Sequence, residues 1–228
     1  MYSTINHIFF DLDHTLWDFD KNSEFAFAKI FSENKIDIDL QNFLLHYIPT
    51  NVKYWEMYRK DEITQSELRY GRLKETFDLI NYKADDEMIA FFSHQYIDYL
   101  PKFTQLFEGA IETLDYLSSK YDLHIITNGF QDVQDKKMIN SNIKHYFKTI
   151  TNSEMAGVKK PNPIIFEHAL QKASAQKEES IMIGDCLEAD VNGALNFGMK
   201  ALFFNSNNVE INQNINQINS LIELKKIF

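Results

Sequence analysis

A single cysteine, Cys186, among 228 residues excludes an internal disulfide framework and fits a reducing compartment. No apolar run approaches the ~18 residues of a membrane helix. The opening stretch, MYSTINHIFFDLDHT, lacks the basic segment and long apolar core of a secretory signal, so a cytoplasmic location is the expectation. Positive charge is also short, with 23 Lys and Arg against 33 Asp and Glu and a net charge of -10. That balance disfavours a nucleic-acid polymer as partner, because such binding needs a basic face. A small anionic substrate remains compatible, provided the site brings its own positive charge. No internal repeat or linker is visible.

What is present belongs to a globular chain. Apolar residues make up 44% and aromatic residues 14%, with 19 Phe and 11 Tyr to fill an interior. Five short runs, HIFFD (7–11), LHIIT (123–127), FKTIT (147–151), SIMIG (180–184) and KALFF (200–204), are almost continuously apolar and β-rich. This is the pattern of parallel strands covered on both faces. Helical segments separate the last four. The segment QDVQDKKMINSNI is weakly patterned, with apolar Val133, Met138 and Ile139. In PNPIIFEHALQKA, Pro163 stands near the start and Ile164, Ile165, Phe166, Ala169, Leu170 and Ala173 make one face. Gly198 fits a helix C-cap. Alternating strands and helices predict an α/β fold with a doubly wound, mainly parallel, Rossmann-like sheet.

The first interval breaks this rhythm. A crossover needs about a dozen residues, yet more than a hundred separate Asp11 from Leu123. The interval reads as helical, punctuated by Pro49 and Pro101, and Thr64 with Glu67 has capping-box spacing. Residues 18–103 are therefore predicted to form a helical domain inserted after the first strand, with 1–17 and 104–228 forming the sheet domain. The segment 107–121 returns the chain to the sheet, with Ile111, Leu114 and Leu117 on one face. The Asn-rich tail reads as a loop followed by a surface helix.

Polar residues follow the apolar runs at once: Asp11 and Asp13, then Thr127-Asn128-Gly129, then Asp185. The carboxyl ends of strands line the ligand crevice of a doubly wound sheet, so these residues should converge. Lys160 follows the third run by a short loop. Asp11, Asp13, Asp185 and Asp190 facing Lys160 as the one clear cation would need a hard divalent cation such as Mg2+. A carboxylate nucleophile, a second carboxyl two residues on, a metal and a cradle of donors describe phosphoryl transfer through an aspartyl-phosphate. Asp11 would attack phosphorus, and Asp13 would serve as general acid and then general base.

The strings DLDHT, TNG, Lys160-Pro161 and GDCLEAD (184–190) resemble, in order, the four motifs of the haloacid-dehalogenase superfamily, and the likeness covers nearly the whole chain. It implies a cap domain where the helical insert stands. It implies Asp11 as nucleophile and Asp13 as acid/base. Mg2+ would be held by the Asp11 carboxylate, the Asp13 backbone carbonyl and Asp185, and the phosphoryl group by Thr127, Asn128, Gly129 and Lys160. Asp190 would stand behind these, orienting Lys160 or a metal-bound water. The longer strings FDLDHTLWDFDKN, ITNGFQDVQDKK and GVKKPNPIIF resemble the branch containing the pyrimidine 5′-nucleotidases.

The expected substrate is therefore a small phosphorylated metabolite, a nucleoside monophosphate first, for an enzyme that is a monomer or homodimer. Sugar-phosphate hydrolysis is the alternative, followed by phosphomutase, 2-haloacid dehalogenase and a non-catalytic phosphoester-binding module. Tyr54, Trp55 and Tyr58 in the insert are expected in a helical core. Trp17 and Phe19 are expected to pack the segment that leaves for the insert, and His14 to be exposed there. Arg69 and Arg72 are open between substrate contact and surface charge. Cys186 reads as a packing residue.

Overall fold

The five β-rich runs form the spine of a six-stranded, all-parallel sheet in the computed structural model, which describes residues 2–211 and 215–228. The strands are β1 (His7–Phe10), β2 (Asp122–Thr127), β3 (Phe147–Asn152), β4 (Ser180–Gly184), β5 (Lys200–Phe204) and β6 (Gln217–Ile218), in the spatial order β3-β2-β1-β4-β5-β6. β1 is central and pairs with both β2 and β4, Phe10 lying opposite Ile125 on one side and Ile183 on the other. The chain order reverses at β1, so the carboxyl ends of β1, β2 and β4 border the switch point, where doubly wound sheets bind ligands.

The chain divides into two compact units, residues 1–19 with 104–228 and residues 20–103. The second unit is helical: α1 (Phe19–Glu33), α2 (Leu40–Arg59), α3 (Gln65–Leu79) and α4 (Asp86–Tyr99). Its core is aromatic, Phe27 packing on Phe43, Tyr47 and Tyr96 with ring centroids 4.6–4.7 Å apart. Thr64 and Glu67 close a reciprocal capping box at the start of α3. Pro49 lies inside α2, while Pro101 sits in the 3-10 turn after α4.

Among the described residues, the α-helices of the sheet unit are α5 (Ala110–Ser118), α6 (Gln131–Asn140), α7 (Ser153–Ala156), α8 (Pro163–Ala173), α9 (Gly193–Phe197) and α10 (Leu224–Ile227). α8 starts with Asn162 accepting from the Ile164 amide and Pro163 in the first turn. It buries Ile165, Phe166, Ala169 and Leu170 against Phe9, Ile126, Met182 and Phe203 of the sheet. Gly198 takes φ +89° as the cap of α9.

Several local expectations shift in phase. The buried face of α5 is Ala110, Thr113, Leu114 and Leu117, and Ile111 points outward. Ile164 and Ile139 are exposed as well. The tail ends in the expected helix, α10, but it is also tied to the sheet. It adds β6 at the sheet edge, through Phe203 N donating to Asn216 O and Asn205 N to Ile218 O, and it buries Ile218, Leu221 and Leu224. No helix among the described residues is long and apolar enough to cross a membrane.

Candidate active site

Asp11 follows β1 directly, Thr127 ends β2, and Asp185 follows β4, so adjacent parallel strands deliver all three to one edge. The Lys160 ammonium lies among them, buried, donating to Asp11 Oδ1 at 2.7 Å, Asp190 Oδ1 at 2.6 Å and the Ile126 carbonyl at 2.7 Å. Three acceptors match the three N–H bonds of an ammonium. Lys160 is thus first a counter-ion for two carboxylates. Burial opposes its charge, but Asp11 and Asp190 outweigh that and hold its pKa above the usual lysine value.

The expected phosphate cradle is assembled differently at each position. The Asn128 side chain pairs with the Lys160 backbone, accepting from its amide at 2.7 Å and donating to its carbonyl at 3.0 Å. Asn128 thereby fixes the loop that carries Lys160. The Gly129 amide donates to Thr127 Oγ1 at 3.1 Å. Asp190 accepts from Lys160 through one oxygen and from the Cys186 amide at 3.0 Å through the other. Cys186 itself caps the π-helical turn Leu187–Asn192, its sulfur accepting from the Ala189 amide.

Asp13 is not alone with Lys160 as its counter-charge. A second cation, Lys137, reaches from α6 and donates to Asp13 Oδ1 at 2.6 Å, while Gln134 Nε2 donates to Asp13 Oδ2 at 2.9 Å. Both side chains are buried on the inner face of α6, with Val133 and Met138. The weak apolar pattern of that helix was the available sequence signal: its inner face is half polar. The Lys137 ammonium also lies 4.4 Å from the Trp17 ring and 5.2 Å from that of Phe19. Trp17 is fully buried, its indole donating to Ser141 Oγ at 3.1 Å, so it packs the segment after β1. His14 is half-buried rather than exposed, with φ +61° and its ring against Phe19.

Two ammonium groups against four carboxylates leave two negative charges that one divalent cation would balance. Asp11, Asp185 and Asp190 each offer a carboxylate oxygen, all within 4.8 Å of one another. Asp190 is already engaged through both oxygens, which leaves Asp11 and Asp185 as the anionic pair for a cation. Burial pushes the Asp11 carboxyl well above its usual range; Lys160 pulls it back and Asp190 and Asp185 raise it further. Burial and then Asp190 push Asp185 up to about 7, against the Thr15 hydroxyl that donates to it at 3.0 Å. Crowded, dehydrated carboxylates of hard-oxygen type suit Mg2+.

Within the insert, the aromatic core excludes the expected residues. Tyr54, Trp55 and Tyr58 are only half-buried. Arg72 is no surface charge: it is buried, donates to Asn51 at 2.9 Å and lies 5.0 Å from the Tyr96 ring. Arg69 is half-buried.

Residues 8–204 match the family model for haloacid dehalogenase-like hydrolases. The chain belongs to that family. The chain is similar to the pyrimidine 5′-nucleotidase PynA of Streptococcus pneumoniae, 32% identical over 205 residues, 89% of this chain and 85% of that protein. A glyceraldehyde 3-phosphate phosphatase of Pyrococcus furiosus is 34% identical over 213 residues, 88% of this chain and 80% of that one. In fold, the chain resembles the putative haloacid dehalogenase-like hydrolase YfnB of Bacillus subtilis, solved bound to magnesium, with TM-score 0.88, 26% identity and 98% coverage of both chains.

Proposed function

We propose that the protein is a Mg2+-dependent phosphatase of nucleoside 5′-monophosphates, acting through a phosphorylated Asp11. The observation that carries this reading is the pairing of a lysine-held Asp11 with a second carboxyl, Asp13, independently held two residues away. Phosphatase chemistry needs both groups; attack on carbon needs only the first.

In this mechanism the Asp11 carboxylate attacks phosphorus, and the ester oxygen leaves with a proton from Asp13. Water then loses a proton to Asp13 and attacks the same phosphorus, releasing inorganic phosphate and free Asp11. Lys160 favours the ionised form of Asp11 and orients it, and Thr127 offers its hydroxyl to a phosphoryl oxygen. Asp11, Asp185 and the Asp13 backbone carbonyl would hold Mg2+, which supplies neutralisation of the phosphoryl oxygens and of the crowded carboxylates. The helical unit, 20–103, stands in the sequence where the family resemblance implies a cap, and the single cysteine suits a cytoplasmic enzyme.

The preference for pyrimidine nucleotides rests on the likeness to PynA, and a sugar-phosphate substrate is the second reading, favoured by the likeness to the glyceraldehyde phosphatase. Phosphate release with Mg2+ should be measured on UMP, dUMP, dTMP, AMP, glyceraldehyde 3-phosphate and glucose 6-phosphate. The pyrimidine nucleotides are expected to give the highest kcat/KM, and chelation of divalent metal should abolish release. Preference for glyceraldehyde 3-phosphate would replace the substrate while keeping the mechanism. Full activity without divalent metal would refute the charge argument.

A further inference from the structure

One face of α6 does more than support the sheet. Gln134 and Lys137, three residues apart, take both oxygens of Asp13 between them. The same Gln134 Nε2 also donates to Thr127 Oγ1 at 2.8 Å. Thr127 Oγ1 accepts as well from the Gly129 amide, at 3.1 Å. A hydroxyl has two acceptor positions and one proton. With both acceptor positions filled by N–H donors, the Thr127 proton is free to point to an acceptor outside this set. One amide thus fixes the direction of two groups.

Two further observations argue that the amide is placed for this purpose. Its own oxygen, Gln134 Oε1, is buried with no partner among the described residues, an arrangement that opposes folding. Packing alone would be better served by an apolar side chain of the same length. And Gly129, of the TNG string, leaves the space that Gln134 occupies: a Cβ there would lie 2.3 Å from Gln134 Nε2.

We propose that Gln134 and Lys137 are positioning residues for this hydrolysis, holding the Asp13 carboxyl toward the leaving oxygen and the Thr127 hydroxyl as a donor to the phosphoryl group. The inference rests on the phosphatase reading above. Lys137 carries its charge with little freedom, since it is buried against Trp17 and Phe19. Asp13 therefore cannot rotate away from its place without losing an ion pair and a hydrogen bond together.

The test compares two esters. A nucleoside monophosphate has an alkyl leaving oxygen that needs a proton from Asp13, whereas 4-nitrophenyl phosphate has a leaving group that departs as the anion. kcat/KM, which reports the step that expels this group, is measured on UMP and on the aryl ester for wild type, Asp13→Asn, Lys137→Met, Lys137→Arg and Gln134→Leu. Positioned acid catalysis is worth roughly 10²–10⁴-fold, so Lys137→Met is expected to lose about 10²-fold on UMP and about tenfold less on the aryl ester, with the asymmetry of Asp13→Asn. Lys137→Arg should keep most of the activity. Gln134→Leu should show the same asymmetry and also raise KM on both esters, and it decides the matter if Lys137→Met does not fold. Equal losses on both esters, or an Arg variant as impaired as Met, would overturn the inference while leaving the phosphatase reading intact. A wild type that hydrolyses neither ester would overturn both.

Discussion

A Cβ on Gly184 would fall 2.2 Å from Asp190 Oδ2, so the last residue of β4 must be glycine for Asp190 to reach Lys160. Gly184→Ala is expected to displace Asp190 and to destabilise the fold by about 1–3 kcal/mol, as overpacked interiors do. Urea unfolding reads this directly, and an unchanged midpoint would contradict the packing account. Residues of this kind were partly legible. Asp11, Asp13, Thr127 and Asp185 stand in the sequence where apolar runs stop, Lys160 follows a loop after one, and the structure brings them to one sheet edge. Gln134 and Lys137 were not legible, because a polar residue on a helix declares its burial only when the partner face is known. Asn128 shows the other difficulty. Its position was legible, but its side chain serves the Lys160 backbone rather than an open cradle.

Among whole elements, the strands were the most readable, since a parallel strand buried on both faces is apolar at successive positions. β6 escaped notice because two residues in an Asn-rich tail leave no periodicity, although Ile218 is buried there. Helix phase was less secure. In α5, Thr113 rather than Ile111 faces inward and donates to the Leu221 carbonyl at 3.1 Å, a bond supplied by the tail and invisible in the helix alone. Helix ends were clearer. The Thr64–Glu67 box is local chemistry, and its amide and carboxylate meet at 2.7 Å as the spacing requires. Thr64→Ala should therefore lower stability by about 1 kcal/mol, the usual value of such a cap. A urea midpoint unmoved by the change would show that tertiary packing, not the cap, sets the end of α3.

For the molecule as a whole, stability must depend on pH through groups outside the site. His124 on β2 is buried, stacked on Phe9 with centroids 4.5 Å apart, and hydrogen-bonded to Thr149 on β3. Burial, then His7 on β1 and, more weakly, Lys148 on β3, lower its pKa to about 4, with Asp122 pulling the other way. The unfolded chain takes up that proton near the ordinary histidine value of about 6.5, before the folded chain does. His124 therefore favours the folded state fully above about pH 6.5, and this contribution is lost as pH falls toward 4. Asp11 and Asp185, raised in the folded state, act in the opposite direction over an overlapping range. The difference between wild type and His124→Asn isolates the histidine. Wild type should lose more stability than the variant between pH 7 and pH 4.5, and parallel profiles would contradict the assignment.

The central claim is that Asp11 carries the phosphoryl group during turnover. The most direct measurement mixes enzyme, Mg2+ and UMP bearing a labelled phosphoryl group, quenches with acid within the first turnover, and maps the label by peptide. The account predicts label on the peptide containing Asp11 and none in Asp11→Asn. Complete phosphate release in the first turnover with no covalent label, or release that survives in Asp11→Asn, would contradict it.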